Sequence, residues 1–376
     1  MNAPVHLVVF LGGMGGSPAE DTLADALCAA ARDTVDTALG TGAFAGAVIV
    51  TDRDPPAGAV PTGVIIDRDP PGEAFHFGRR LLQVCRHHGI VRPLYCGAGA
   101  GVLLTGDDFA AIARRLAGAG RLVIPNNFFS CDLFGLATAA ELERIDLPAT
   151  DNLVARLLTQ QAGVPSEPLP RTAASQFNLD SPADLAILAL AGGAGPRLAA
   201  MLETGAPTLP ALPALMERLV DPEAEVFIFG RVGSAVWQYL ERETACRVRV
   251  LSEERGMQAA GRDAAGRARS LLGFHLQHAG IDRVFGELAE ICDAAVLDSR
   301  VLLAHVGARP SRADRFASDL GRWQEVRDPF LRDLTRAAAQ APKPIVLGGH
   351  SLLSGGLMLL TDAAWRQRDA GLSGSA

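Results

Sequence analysis

Val5-His6-Leu7-Val8-Val9-Phe10-Leu11 runs straight into Gly12-Gly13-Met14-Gly15-Gly16. An unbroken apolar run closed by glycines is how a strand buried on both faces of a parallel sheet reads. Leu, Ala and Val at helical spacing follow over 23–39, so the glycines form a strand-to-helix loop. The same rhythm continues outward. Strands are expected at Ala47–Val50, ended by Thr51-Asp52-Arg53-Asp54, and at Gly63–Ile66, Pro93–Cys96 and Leu122–Ile124. Helices are expected at Phe75–His88 and Asp107–Ala117. Strands alternating with helices imply βαβ units, hence an α/β fold with a mostly parallel sheet and flanking helices.

Asp180–Leu190 opens a further helix, with Ser181 as its cap, Pro182 in its first position and Asp184 in its first turn. A stretch rich in Gly and Pro follows over 192–213, and the domain boundary is expected there. The expected organisation is a first domain over 1–195, a linker over 196–213, a second α/β domain over 214–370 and a tail over 371–376. In the second half Glu225–Phe229 reads as a strand, Gly230-Arg231-Val232-Gly233-Ser234 as a glycine loop that resembles a shortened dinucleotide loop (G-x-x-G) without the full fingerprint, and Ala235–Glu243 as a helix. Arg247–Leu251, Ala294–Leu297, Val301–Ala304 and Pro344–Leu347 read as further strands.

Composition narrows the function classes. The 376 residues are 48% apolar with a net charge of −7, which fits a globular protein and argues against a general nucleic-acid binder. The six cysteines form no C-x-x-C pair, so neither a zinc ribbon nor a redox pair is indicated, and several read as small buried hydrophobes. No apolar run reaches the roughly 18 residues of a membrane span, and no secretory leader is visible. The expected location is the cytoplasm, without a membrane partner. The oligomeric state is left open.

Glycine lacks the Cβ that keeps phosphate oxygens away from backbone amides, so Gly12, Gly13, Gly15 and Gly16 are candidates to hold phosphates. The loop is not a Walker loop, because no Gly-Lys-Ser/Thr follows. Asn126 and Asn127 follow a strand and lie where open α/β sheets bind ligands. Phe75-His76-Phe77-Gly78-Arg79-Arg80 reads as a helix start or an anion clamp, and His275-x-x-His278 as a helix surface. In the second half Glu253, Arg255, Asp298, His305, Arg315 and His350 sit at strand ends and beside glycine turns, the residue types an anion or metal site uses. Buried ion pairs between layers would give the same pattern.

Three further stretches carry a family resemblance. Ala26–Asp52 (ALCAAARDTVDTALGTGAFAGAVIVTD), Val102–Phe109 (VLLTGDDF) and Gln176–Leu185 (QFNLDSPADL) resemble, in this order, motifs of nucleotidyltransferases with a glycosyltransferase-A-like fold. The families are the molybdenum-cofactor and phospholactate guanylyltransferases and the sugar-phosphate nucleotidyltransferases. The resemblance covers about half the chain and leaves the second half unassigned. It implies transfer of a nucleoside monophosphate from a nucleoside triphosphate to a small phosphorylated acceptor, releasing pyrophosphate. It also implies Mg²⁺, with Asp180 and Asn178 as ligands and Asp132 as an alternative. Arg171, or Arg79, would replace the cation that members carry after the glycine loop, where this chain has Ser17-Pro18-Ala19-Glu20-Asp21. Gly97-Ala98-Gly99-Ala100-Gly101 stands where members carry a metal-binding Asp. Two alternatives stay open: a non-catalytic nucleotide- or metabolite-binding protein, and an enzyme whose site lies in the second half.

Overall fold

β1 (Val5–Leu11) buries Leu7, Val8 and Val9 completely and has parallel neighbours on both edges. The computed structural model describes residues 3–53 and 62–373, so Asp54 and the last residues of the expected tail lie outside the described residues. Along the chain follow α1 (Pro18–Gly40), β2 (Phe44–Thr51), β3 (Val64–Arg68), α2 (Phe77–His87), β4 (Arg92–Gly97), α3 (Gly106–Ala117), β5 (Val123–Pro125) and β6 (Leu133–Leu136). Next come α4 (Val154–Ala162), α5 (Ala173–Gln176), α6 (Pro182–Ala191), α7 (Pro196–Gly205), α8 (Ala211–Leu219), β7 (Glu225–Gly230), α9 (Ser234–Glu243) and β8 (Arg247–Ser252). The chain ends through α10 (Leu271–Ala279), α11 (Ile281–Ile291), β9 (Ala294–Asp298), α12 (Ser299–Val306), α13 (Arg312–Asp319), α14 (Pro329–Gln340), β10 (Ile345–Gly348) and α15 (Leu357–Ser373).

The chain forms two units. The first comprises residues up to Met14, Ala24–Gln176 and Ala194–Met201. The second comprises Gly15–Leu23, Phe177–Gly193 and the chain from Leu202 onward. The Gly- and Pro-rich stretch after Ala191 holds α7 rather than an extended linker. Val301–Ala304, expected as a strand, is the middle of α12. Asp298 explains the switch: its side chain accepts a hydrogen bond from the Arg300 amide and caps the helix.

In the first unit the strand order is β3-β2-β1-β4-β6-β5, with β6 antiparallel to both neighbours and the other pairs parallel. One face is closed by Val8, Phe77, Leu81, Tyr95, Phe134 and Leu158. The rings of Phe77 and Tyr95 lie 4.8 Å apart, and those of Tyr95 and Phe134 5.0 Å. Each buried ring of this kind contributes about 2–3 kcal/mol. In the second unit the order is β10-β9-β7-β8, wholly parallel, with Phe229, Leu297, Leu302 and Leu331 in its core.

Each sheet therefore contains a point where the chain, having gone to one side, returns to the other. β1 is flanked by β2 and β4, and β7 by β8 and β9. Such points leave a crevice at the carboxyl ends of the strands, where open α/β sheets take their ligands.

Candidate functional site

The first crevice lies beyond β1 and β4. Gly13 has φ +75° and donates its amide to Asp52 Oδ2 at 2.9 Å, which pins the loop to the end of β2. A Cβ on Gly12 would lie 2.9 Å from Asp52 Oδ1, so the loop approaches that carboxylate as only glycine allows. On the β4 side the Gly97 amide donates to Asp132 O and the Ala98 amide to Phe10 O, both at 2.9 Å. This rim is backbone and carries no charged side chain between 97 and 101. Beside it Phe10 packs against Phe75, centroids 6.1 Å apart, and Phe75 is 58% exposed, leaving an open aromatic face.

Asn126 is spent on the fold. Its Nδ2 donates to Asp132 and to Ser175 O, its Oδ1 accepts from the amides of Asp132 and Leu133, and its carbonyl accepts from Gln176 Nε2. Asn127 Oδ1 accepts from the Phe129 amide at 3.1 Å and turns the loop. Arg171 is half-buried and makes no ion pair among the described residues. Arg79 is exposed, whereas its neighbour Arg80 is buried and bound to Asp67 and Asp69, each at 2.7 Å. Asp151 Oδ2 accepts from the Tyr95 hydroxyl at 2.8 Å.

Gly15, Gly16, Asn178 and Asp180 belong to the second unit. Ser17 Oγ accepts from the Glu20 amide and donates to Glu20 Oε2 at 2.8 Å, so these two residues form the capping pair of α1. Asn178 Nδ2 donates to Asp180 Oδ1 at 2.9 Å. Asp184 caps α6 through the amide and hydroxyl of Ser181, and its Oδ1 accepts from Ser351 Oγ at 2.8 Å. Burial and the Asp180 charge push its carboxyl up to about 7.

The second crevice, beyond β7 and β9, is charged. Arg231 Nε and Nη2 hold Asp298 at 2.5 and 3.1 Å, and Asp298 is wholly buried. Burial opposes the charge on Asp298, but Arg231 and Arg300 together hold its carboxyl below the usual carboxylate range. His350 follows β10 and faces Arg231, Asp298 and Arg255. Crowding by protein and the two guanidiniums push the ring down to about 4, outweighing Asp298, although its edge stays open to solvent. Arg255 is exposed, and its guanidinium lies over the start of α9, 4.0 Å from where a Cβ on Gly233 would stand.

Of the six second-half candidates, the structure thus gathers Arg255, Asp298 and His350. Arg315 lies farther along the same network: Arg300 binds Asp319, and Arg315, held below its ordinary value by burial and by Arg300, makes its hydrogen bond to Pro310 O. His305 accepts from the Ser270 amide through Nδ1 and meets Gln277 through Nε2. Glu253 accepts from the Leu271 amide at 2.8 Å. His275 pairs with Glu287, and His278 meets Phe274 O, so both serve helix surfaces. Among the described residues no three His, Cys, Asp or Glu side chains gather as a metal site. All six cysteines are buried and free, as their apolar settings imply.

No family model matches the chain, and no curated protein matches it significantly. Solved structures do. A cytidylyltransferase from Leptospira borgpetersenii is similar at 14% identity and a TM-score of 0.37, covering 54% of this chain and 93% of that one. CMP:2-keto-3-deoxy-manno-octonic acid synthetase complexed with CTP is similar at 10% identity and a TM-score of 0.28, covering 44% and 90%. A protein assigned as a nucleotide-diphospho-sugar transferase from Desulfovibrio desulfuricans gives 12% and 0.32, covering 44% and 79%. Likeness at this level is partial, and the chemistry rests on the residues themselves.

Sequence reasoning missed Asp52, Arg231, Arg300 and Asp319 as members of these sites. Asp52 and Arg231 each follow a strand directly, beside the loops already singled out, and strand-end position was the available signal. Asp319, which acts from the last turn of α13, is marked locally only by the Arg- and Asp-rich run 309–319.

Proposed function

We propose that the first unit binds a nucleoside triphosphate in the crevice beyond β1 and β4 and passes its nucleotidyl group to a small phosphorylated acceptor, releasing pyrophosphate. The observation that carries this reading is the Gly12–Gly13 loop, held open by the Gly13–Asp52 hydrogen bond above a rim without charged side chains. Glycines without Cβ atoms let phosphate oxygens approach the backbone, and the exposed Phe75 ring offers a face to a base. The protein's work in nucleotidyl transfer is positioning and charge neutralisation. Asp180 and Asn178, the expected Mg²⁺ ligands, lie in the second unit, so the ion would arrive on the triphosphate rather than be resident in this crevice. Mg²⁺ would neutralise phosphate charge there.

Binding without transfer is the second reading, favoured by the lack of any oxygen-bearing side chain over 97–101. Calorimetric titration of the chain with GTP, CTP and ATP, with and without Mg²⁺, tests both readings. Saturable binding of one nucleotide is expected, and no binding of any overturns both. Pyrophosphate release with a panel of phosphorylated acceptors then separates transfer from binding. Unchanged release by Asp180→Ala would remove Asp180 from the metal assignment.

A further inference from the structure

We propose that the crevice beyond β7 and β9, in the second unit, is a binding site for a phosphoryl anion gripped by Arg231 and Arg255. The inference concerns a separate site and does not depend on nucleotide binding by the first unit.

Three observations converge on this crevice. First, it is the point of the second sheet at which the chain switches sides, where ligands of open α/β sheets bind. Its floor is tightly set: Gly230 faces Asp298, and a Cβ on Gly230 would stand 2.2 Å from Asp298 Cβ. Second, the guanidiniums there are not fully used. Arg231 spends Nε and Nη2 on Asp298 and keeps Nη1. Arg255 makes no ion pair or hydrogen bond among the described residues. Third, the electrostatics are unbalanced. The α9 terminus has no side-chain cap, and Arg255 lies over it, so a cation sits at the positive end of a helix dipole. Asp298 does not offset this, because Arg231 and Arg300 already neutralise it.

An anion between Arg255 and the start of α9 reverses the repulsion. A phosphoryl group fits best, since its several oxygens can accept from backbone amides and from a guanidinium at once.

The test is calorimetric titration of the full chain with inorganic phosphate, using wild type, Arg255→Gln and Gly13→Ala. Arg255 is exposed and unpaired, so Arg255→Gln should keep the wild-type melting curve. The expected result is saturable binding that weakens at least about tenfold in Arg255→Gln, the loss of one charge-assisted contact. It should be unchanged in Gly13→Ala. Absence of saturable binding by wild type overturns the proposal. So does equal affinity in Arg255→Gln, including the case where only Gly13→Ala weakens it, which assigns phosphate to the first unit. Acetate binding as tightly as phosphate overturns the phosphoryl assignment.

Discussion

Arg300 and Asp319 meet as a two-pronged ion pair, Nη1 to Oδ1 at 2.5 Å and Nη2 to Oδ2 at 2.6 Å, with Asp319 wholly buried. Removing one member strands the other charge away from water. Asp319→Ala should therefore destabilise the second unit by about 3–5 kcal/mol. The double substitution Arg300→Met with Asp319→Leu should recover much of that loss. Urea denaturation of the three chains measures both effects, and an Asp319→Ala cost under about 1 kcal/mol would contradict the burial argument.

Gly230 has φ +124° and no room for a side chain. Gly230→Ala adds backbone strain to a clash with Asp298, and a cost of about 3 kcal/mol is expected. Gly233 makes the matched control, because it has φ −81° and ordinary space around it. Gly233→Ala should cost less than about 1 kcal/mol. Equal denaturation midpoints for the two variants would show that the close approach is relaxed in solution.

Gly13 differs from Gly230 in having open space around it, with nothing within 4 Å of a built Cβ. Only its φ of +75° resists substitution. Gly13→Ala should cost about 1 kcal/mol of stability while lowering nucleotide affinity at least about tenfold. Measuring both on one preparation separates a loop that binds from one that only turns.

His350 sets a pH dependence whose sign follows from its surroundings. Burial first, then Arg231 and Arg255, disfavour the charged ring, and Asp298 and the Arg231 backbone favour it, so that the folded ring is pushed down to about 4 from 6.5. The unfolded chain therefore binds the proton more readily between these values. The stabilising contribution is complete above pH 6.5 and is lost as the pH falls toward 4. Thermal melts of wild type and His350→Gln across pH 4–8 should diverge in that window, with the variant losing less on acidification. Parallel profiles would place the ring in ordinary solvent.

Much of the architecture was legible because its strands are buried on both faces and read as unbroken apolar runs. Val5–Leu11 and Glu225–Gly230 are the clearest. The α6 cap was legible too, since Ser181, Pro182 and Asp184 act within one turn. Val301–Ala304 misled because four apolar residues carry no period, so helix and strand look alike. β6 escaped notice for a similar reason, being four residues long. The sites were harder to read. Asp184 meets Ser351 and Arg300 meets Asp319 through tertiary contacts that no local spacing encodes. Asn126 looked like a ligand donor, yet its amide is consumed by Asp132, Leu133 and Ser175.

The crowding of Gly230 against Asp298 also bears on ancestry. A larger residue at position 230 would meet the Cβ that every residue but glycine carries at 298, and a change at 298 would leave Arg231 and Arg300 without their shared carboxylate. Position 230 therefore stays glycine whichever side chain stands at 298, and homologues that keep the two arginines should keep Asp298 as well.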